Sequence, residues 1–275
     1  MSFLQGQLSN DTGRLAQHAP LFAAYSSAQG RVLSLIYLLP HSGGVAAILP
    51  RELLAPTLER LKKFVLRSKV KIEDAAETLV VAGYHGDDAL RAVGLPVPEA
   101  PGQYLEHQGV GIAGVGLERR FWVIGPAAQA PFASSSESAA RAEHDWRMAD
   151  IRAGLPQIYA ATSEIFVAQM LNLDLLDGIS FTKGCYTGQE IIARTQHLGR
   201  IKRRLFRLQL PSGTWAVGQA LRLRDGREGR LVEVLADSGH AEALAVLNLE
   251  AGPDADSPAT LGVSATELPL PYRAA

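Results

Sequence analysis

The chain has 275 residues, a hydrophobic fraction of 47%, a charged fraction of 20% and a net charge of −1. This composition is typical of a globular protein and excludes a disordered, collagen-like or coiled-coil chain. The longest apolar stretch, residues 32–39, is far shorter than the roughly 20 residues of a membrane-spanning helix, so no membrane contact is expected. Residues 1–5 show no secretory signal, and the single cysteine, Cys185, can form no intrachain disulfide. Both features favour a cytoplasmic setting.

Hydrophobic periodicity predicts a mixed α+β front, without a repeated βαβ series, and a β-rich tail. Leucines and valines recur at helical spacing over residues 52–66, which predicts an amphipathic helix. A second helix is predicted from Glu137 to about Arg152. The other predicted elements are strands at 31–39, 44–49 and 78–83, a short helix near 87–93, and strands within 103–124. From residue 201 onward strand follows strand, with turns at 211–213, 225–226 and 237–239, which predicts a small barrel-like domain.

Charge is unevenly distributed along the chain. Residues 183–230 contain eleven Lys and Arg but three acids, a local charge of +8, while the rest of the chain carries −9. This segment favours an anionic partner such as nucleic acid, or it is a solvated strand face with scattered arginines; the sequence leaves both open. Its aromatic residues, Tyr186, Phe206 and Trp215, are too few to favour recognition of single strands by base stacking.

Several common chemistries have no support in the sequence. Residues 109–114 fit the pattern G-x-G-x-x-G, but β-like sequence follows where a dinucleotide-binding motif needs a helix. The seven histidines show no ligand-like spacing and no neighbouring cysteine cluster, so we predict no metal site. A nucleophile elbow, a Walker loop and an H-E-x-x-H helix are also missing.

The most distinctive segment is residues 183–190, with the sequence KGCYTGQE. Thr187 and Glu190 have the spacing of a capping box and precede two isoleucines. A helix is therefore predicted to start near Gly188 and to end before Gly199.

Cys185 lies just ahead of this predicted helix. The positive end of the helix and the sequence neighbour Lys183 both favour the thiolate form. A lone cysteine is in general more often an inert packing residue. Here the polar neighbours Tyr186 and Gln189 make burial among apolar groups less favourable, and we interpret Cys185 as a functional thiol.

This segment resembles the signature of the YgfZ-type folate-binding proteins, relatives of the aminomethyltransferase (T-protein) of the glycine cleavage system and of a mitochondrial iron–sulfur maturation factor. The similarity covers essentially the whole chain, although it is sparse between residues 50 and 131. The supporting segments are 4–11 (LQGQLSND), 28–31 (AQGR), 151–156 (IRAGLP), 170–173 (MLNL) and 193–195 (ART).

The resemblance implies an α+β, T-protein-like fold of three parts around a central channel, with a C-terminal β-barrel. We assign residues 1–198 to an α+β folate-binding region of two interleaved subdomains, with a break near 94–103, and residues 199–275 to the barrel. The implied cofactor is tetrahydrofolate or a one-carbon derivative. The implied function is an accessory role in the maintenance of iron–sulfur enzymes and in tRNA thiomethylation. The implied partners are folate, iron–sulfur enzymes that modify tRNA, and tRNA itself through residues 183–230.

The candidate site residues come from the same matches. Cys185 and Lys183 are the candidate catalytic residues, and the thiolate would serve redox chemistry, transient cluster contact or one-carbon interception. Arg152 is predicted to receive a folate carboxylate bidentately; the alternative is an arginine at the exposed end of a helix. The other predicted folate-binding residues are Gln7, Asn10, Tyr186, Gln189 and Glu190.

Two departures argue against glycine cleavage itself. Residues 30–35 hold no carboxylate where the aminomethyltransferases carry acidic residues, and residues 121–125 lack the counterpart of their pterin-reading glutamate. A positioned acid–base group contributes about 10²- to 10⁴-fold to a rate. We therefore expect an accessory protein and not a true aminomethyltransferase, with a folate-dependent one-carbon transferase on an unidentified substrate as the alternative.

Overall fold

The computed structural model describes residues 2–17, 19–41, 43–66, 68–100, 102–116, 118–127, 136–197, 199–251 and 262–272. Within these ranges the helices are α1 (Ser2–Gln5), α2 (Arg51–Val65), α3 (Asp87–Ala92), α4 (Ser136–Ala153) and α5 (Gln189–His197). Short 3-10 helices span Thr12–Gln17 and Ala168–Leu171. The strands are β1 (Leu21–Ser26), β2 (Val32–His41), β3 (Gly44–Ile48), β4 (Leu79–His85), β5 (Tyr104–His107), β6 (Val110–Val115), β7 (Arg120–Pro126), β8 (Arg203–Pro211), β9 (Ala220–Arg222), β10 (Glu228–Asp237), β11 (His240–Asn248) and β12 (Thr266–Leu268).

The strands form three antiparallel sheets. The first sheet has the order β1-β2-β3, the second β4-β7-β6-β5, and the third β12-β8-β11-β10-β9. The predicted helices at 52–66, 87–93 and 137–152 are confirmed as α2, α3 and α4, and each predicted strand has its counterpart. Residues 94–103 connect α3 to β5, and the strands on both sides of this connection, β4 and β5, belong to the second sheet.

The first sheet is covered on both faces. All six residues of β1 are buried, and β1 pairs with β2 in a register that places Leu21 opposite Leu38. Helix α2 buries Leu53 and Leu61 against this layer. The apolar stripe read from the sequence is therefore the face that α2 packs on the sheet.

The third sheet curls so that its two edges approach each other. Leu223, next to the edge strand β9, forms a parallel bridge with Val263, which precedes the opposite edge strand β12. The Val263 N–H donates to the Arg222 carbonyl at 2.8 Å, and its carbonyl accepts from the Arg224 N–H at 3.2 Å. Leucines of β8 and mostly alanines of β11 form the core cluster of this sheet, as expected for a small barrel.

Helix α4 joins the second sheet to the third. The Trp146 ring contacts β4 at Gly83, which leaves room for it: a Cβ at Gly83 would stand 2.2 Å from Trp146 Cε3. Further along the same helix, Arg152 binds Glu242 of β11. Among the helices of the described ranges, none combines the length and apolar character that crossing a membrane requires.

Candidate functional site

Cys185 lies on a loop that is tied to residues near the start of the chain. We call residues 178–188 the cysteine loop and residues 2–11 the leading segment. The Ser180 N–H donates to the Ser9 carbonyl at 3.0 Å, and the Thr187 N–H donates to the Gly6 carbonyl at 3.2 Å. Ser9 Oγ donates to the Gly178 carbonyl at 2.6 Å. The leading segment and the cysteine loop therefore fold as one unit.

Lys183 is the strongest link in this unit. Its ammonium donates to the carbonyls of Gln5, Leu8 and Asn10 at 2.7, 2.8 and 2.9 Å, which uses all three of its donors. It also lies 4.9 Å from the centre of the Tyr186 ring. Burial lowers the pKa of Lys183 to about 8, so the side chain is charged at neutral pH. Lys183 thus acts as a clamp that holds the loop against the leading segment.

The thiol itself is exposed. Cys185 is a free, exposed cysteine, and the neighbouring Gly184 has open space around the position of a Cβ. On one side Lys183 fixes the loop, and on the other side Tyr186 is buried in the core with 8% exposure. The loop therefore presents its sulfur to solvent from a fixed backbone, which satisfies the access condition for a reactive cysteine.

Two glycines bring the loop close to the turn between β1 and β2. Gly188 has φ +82°, and a Cβ there would stand 2.7 Å from the Ser27 carbonyl oxygen. Across the contact Gly30 has φ +70°, and its Cβ would stand 2.8 Å from Ile191 Cβ. Both positions therefore require glycine for two reasons, a left-handed backbone and a close approach. This contact joins the AQGR and KGCYTGQE segments in space.

The helix predicted after Cys185 is confirmed as α5 (Gln189–His197). Its predicted bounds, a start near Gly188 and an end before Gly199, are also confirmed; the predicted capping box needs a correction. Gly188, with positive φ, stands between Thr187 and the first helical residue, so Thr187 is not the N-cap and the capping box is not formed as predicted.

The predicted folate-binding residues other than Arg152 lie in or beside this unit. Asn10 is fully engaged: its Nδ2 donates to the carbonyls of Phe22 and Asp177 at 2.9 and 2.6 Å, and its Oδ1 accepts from the Asp11 N–H. Gln7 is half-buried, and its Oε1 has no partner within the described ranges. At the start of α5, Gln189 is half-buried and Glu190 is exposed. Tyr186 contacts Lys183 as described.

Arg152 lies at the end of α4 and faces the third sheet. Its guanidinium donates to Glu242 Oε1 at 2.7 and 3.0 Å and to Asp237 Oδ2 at 2.9 Å. Arg207 binds the other oxygen of Glu242 at 2.6 and 3.0 Å. Burial alone raises the pKa of Glu242, but these two arginines bring it below its usual range. Arg152 is thus part of an ion-pair network whose two cations and two anions balance.

The same network contains three side chains of the types that bind metal ions. Asp237, His240 and Glu242 have ligand atoms within 4.8 Å of one another. Both carboxylates already accept hydrogen bonds from arginines. A metal ion would have to displace a guanidinium, so we assign no metal site to it.

The structure divides the basic segment into internal and exposed cations. Several of its cations have partners within the protein: Lys183, Arg204, Arg207, Arg222, Arg227 and Arg230. Arg194, Arg200, Lys202 and Arg203 are exposed and follow one another from α5 into β8. We call these four residues the α5–β8 basic patch. Arg203 contacts Asn248 at 2.8 Å and Arg200 approaches Glu250 at 3.9 Å, which leaves most of the patch facing solvent.

One polar group in the interior was missed by the sequence reading. Asp150 of α4 binds the guanidinium of Arg120, a residue of β7 that is 1% exposed, at 2.6 Å. The available signal was the helical spacing of Asp150 from Trp146 and Ala153, which places a charged residue on an apolar stripe.

No family model matches the chain, but curated relatives do. It is 34% identical over 290 residues to the tRNA-modifying protein YgfZ of Sodalis glossinidius, covering 99% of this chain and 87% of the relative. The YgfZ proteins of Pectobacterium carotovorum and Escherichia coli K12 are 33% and 32% identical, covering 99% and 98% of this chain and 86% and 87% of those proteins.

A solved structure matches the fold. The crystal structure of glycine cleavage system aminomethyltransferase T from Bartonella henselae superposes with a TM-score of 0.58 at 14% identity, covering 90% of this chain and 73% of that one. The T-protein-like arrangement implied by the sequence is therefore confirmed. From the near full-length identity to its curated relatives, the chain belongs to the YgfZ family of tRNA-modifying proteins.

Proposed function

We propose that the chain is a tetrahydrofolate-binding accessory factor for iron–sulfur enzymes that modify tRNA by thiomethylation, and that it works through Cys185. The names of its relatives support a role in tRNA modification. The aminomethyltransferase fold and the resemblance of the motifs support folate as the ligand. The observation that carries the proposal is the exposed Cys185 thiol on a loop anchored by Lys183 and Tyr186.

The position of the thiol favours a large partner. A sulfur enclosed in a cavity acts on a bound small molecule, whereas an exposed sulfur on a fixed loop is open to another macromolecule. The anchored backbone also reduces the conformational entropy that the loop would lose on binding. An iron–sulfur enzyme that exchanges a disulfide, a cluster ligand or a one-carbon unit with Cys185 fits this arrangement.

Replacing Cys185 with alanine tests the role of the thiol. We expect Cys185→Ala to abolish complementation of a deletion strain, measured as the thiomethylated nucleosides in its tRNA by mass spectrometry. The melting temperature should change by no more than about 2 °C, because exposed substitutions usually cost less than about 0.5 kcal/mol. Thr182→Ala, an exposed change on the same loop, is the matched control and should complement fully. Full modification by Cys185→Ala would refute the proposal.

Direct contact with tRNA would use the α5–β8 basic patch. Arg194 lies on α5, the helix that follows the cysteine loop, Arg203 begins β8, and Arg200 and Lys202 lie in the connection between the two elements. The internal arginines of the basic segment form ion pairs with carboxylates such as Asp174 and Glu242. Their charges are neutralised within the protein, so they would attract phosphates only weakly. The patch could place a tRNA close to Cys185 while the client enzyme is bound.

This contact makes a quantitative expectation for salt dependence. Log affinity falls as log salt concentration rises, and each phosphate contact makes this slope steeper by about 0.7 to 0.9. We expect the double variant Arg200→Gln/Lys202→Gln to make this slope shallower by about 1.5 in filter-binding titrations with tRNA. The control Lys62→Gln/Lys63→Gln, which removes two exposed cations of α2, should leave the slope unchanged. Absence of tRNA binding by the wild-type protein at low salt would exclude direct contact.

The alternative of a one-carbon transferase has a separate test. Around the start of β2, Arg31 donates to the Ile165 carbonyl at 2.7 Å and Ser34 is fully buried, and no acidic residue stands in this stretch. Incubation with labelled methylene-tetrahydrofolate and candidate amine or sulfur acceptors would reveal transfer. Turnover at ordinary enzymatic rates would replace the accessory role with a catalytic one.

A further inference from the structure

A second cluster of positive charge lies far along the sequence from the α5–β8 basic patch. Residues 60–71 (RLKKFVLRSKVK), here called the α2 tail, contain six lysines and arginines and no acidic residue. They comprise the last part of α2 and the stretch that follows it. Because the whole chain has a net charge of −1, an attraction of anionic partners to the α2 tail would be local and not a property of the entire molecule.

Three apolar side chains of the α2 tail face solvent. Phe64 is 46% exposed, Leu66 87% and Val70 37%. They are three of the six large apolar side chains that are exposed in the described part of the chain. Single exposed apolar residues are common on protein surfaces, but three of them within a short basic stretch indicate a surface that binds something.

These side chains project from a backbone that is anchored to the core. Val65 and the next residue after the α2 tail, Ile72, pack against the apolar cluster that joins α2 to the first sheet, and Leu61 belongs to this cluster. Between the two anchors, the Ser68 N–H donates to the Val65 carbonyl at 2.7 Å. The core therefore holds the α2 tail at both ends, while the three exposed apolar side chains stay outside it.

Much of the positive charge of the α2 tail has no partner within the protein. Lys71 pairs with Glu73 at 2.7 Å, and Arg60 approaches Glu164 at 4.0 Å. Three exposed lysines form no ion pair among the residues that the structure describes: Lys62, Lys63 and Lys69. Their charges are therefore available to a partner outside the chain.

The composition of the α2 tail favours an anionic lipid surface over other anionic partners. Four of its six cations are lysines, and lysine is depleted in protein interfaces, where arginine is enriched. Phosphates of nucleic acid would leave the exposed leucine and valine unused, and Phe64 is the one aromatic residue of the α2 tail that could stack on a base. A lipid surface suits both features, because its headgroups attract lysines and the region below them accepts apolar side chains.

We propose that the α2 tail binds reversibly to anionic lipid surfaces, with its lysines among the headgroups and Phe64, Leu66 and Val70 inserted below them. Lysine side chains are long enough to keep their ammonium groups at the headgroups while neighbouring apolar side chains lie deeper. The expectation of no membrane contact rests on the lengths of apolar stretches, which bear only on spanning. The proposal is independent of folate binding and of the role of Cys185.

Co-sedimentation of the full chain with vesicles tests the proposal. We expect binding to vesicles of equal parts phosphatidylglycerol and phosphatidylcholine at low salt, and release at about 0.5 M salt, where the charges are screened. Vesicles of phosphatidylcholine alone should bind at least about 20-fold more weakly. Because each lysine contributes about fivefold, Lys62→Gln/Lys63→Gln should lower the partition coefficient by about 30-fold. The control Arg200→Gln/Lys202→Gln, which removes two cations of the α5–β8 basic patch, should change it by less than about twofold.

A second variant tests the apolar part of the contact. Leu66→Asn should lower the partition coefficient by about 4- to 12-fold, the effect of burying roughly half of a leucine side chain. The variant should fold as well as wild type, because Leu66 is exposed and has φ +37°, a backbone that asparagine adopts more readily than leucine. Circular dichroism and the melting temperature would verify the fold.

Several outcomes would overturn the proposal. It is wrong if the wild-type chain does not sediment with the phosphatidylglycerol vesicles at low salt, or if Lys62→Gln/Lys63→Gln sediments as wild type does. It is also wrong if the control Arg200→Gln/Lys202→Gln loses as much binding, because the attraction would then not be located in the α2 tail. Titrations with tRNA and with poly-L-glutamate give the remaining distinction. If Lys62→Gln/Lys63→Gln loses affinity for one of these probes and keeps its affinity for vesicles, the α2 tail binds nucleic acid or an acidic protein instead.

Discussion

Replacing Lys183 with methionine is expected to lower the free energy of unfolding by about 2–4 kcal/mol. The variant keeps the aliphatic stem but leaves the carbonyls of Gln5, Leu8 and Asn10 without their common donor. Each buried acceptor left unpaired costs about 1–3 kcal/mol, less where water can enter. For a chain of this size the melting temperature should fall by roughly 5–15 °C, which differential scanning calorimetry would detect.

The same variant decides between two roles of Lys183. A lysine that only activates the neighbouring thiol could be removed without loss of stability, whereas a clamp could not. Lys62→Met, an exposed lysine on α2, controls for the change of charge and should leave the melting temperature within about 2 °C of wild type. If Lys183→Met has the melting temperature of wild type yet fails to complement the deletion strain, the lysine is catalytic and does not hold the loop in place.

The sequence predicted the local structure well where periodicity or turn residues carry the information. The helix α2 and the hairpins of the third sheet follow from apolar spacing and from glycine turns. Strand β1 (Leu21–Ser26) was not predicted because both of its faces are buried, so the alternation that marks a strand is absent. The approach of the two edges of the third sheet through Val263 depends on a long-range bridge, which no local pattern records.

Only the parts of the site that lie within sequence motifs could be predicted. The exposed position of Cys185 and the helix after it follow from residues 183–190, and the glycine contact explains why this segment and the AQGR turn occur together. The interior was not predictable. Asp150 of α4 meets an arginine that is 30 residues away in sequence. Spacing along the chain cannot show such a contact.

Asp150→Ala should be among the most destabilising single changes in the interior, with an expected loss of about 3–5 kcal/mol. Arg120 is 1% exposed, and its other carboxylate, Glu118, is 3.5 Å away and more than half exposed. Without Asp150, a buried guanidinium would remain largely uncompensated. Chemical denaturation at neutral pH measures the effect, with Asp145→Ala on the same helix as the matched control.

The double variant Arg120→Met/Asp150→Leu tests whether the interior needs a charged pair or only side chains of similar volume. Replacing a whole buried ion pair with apolar side chains of similar size is often neutral or stabilising, so this protein should unfold within about 1 kcal/mol of wild type or above it. If the double variant instead unfolds as easily as Asp150→Ala, the ion pair itself, and not only the space that it fills, holds α4 to β7.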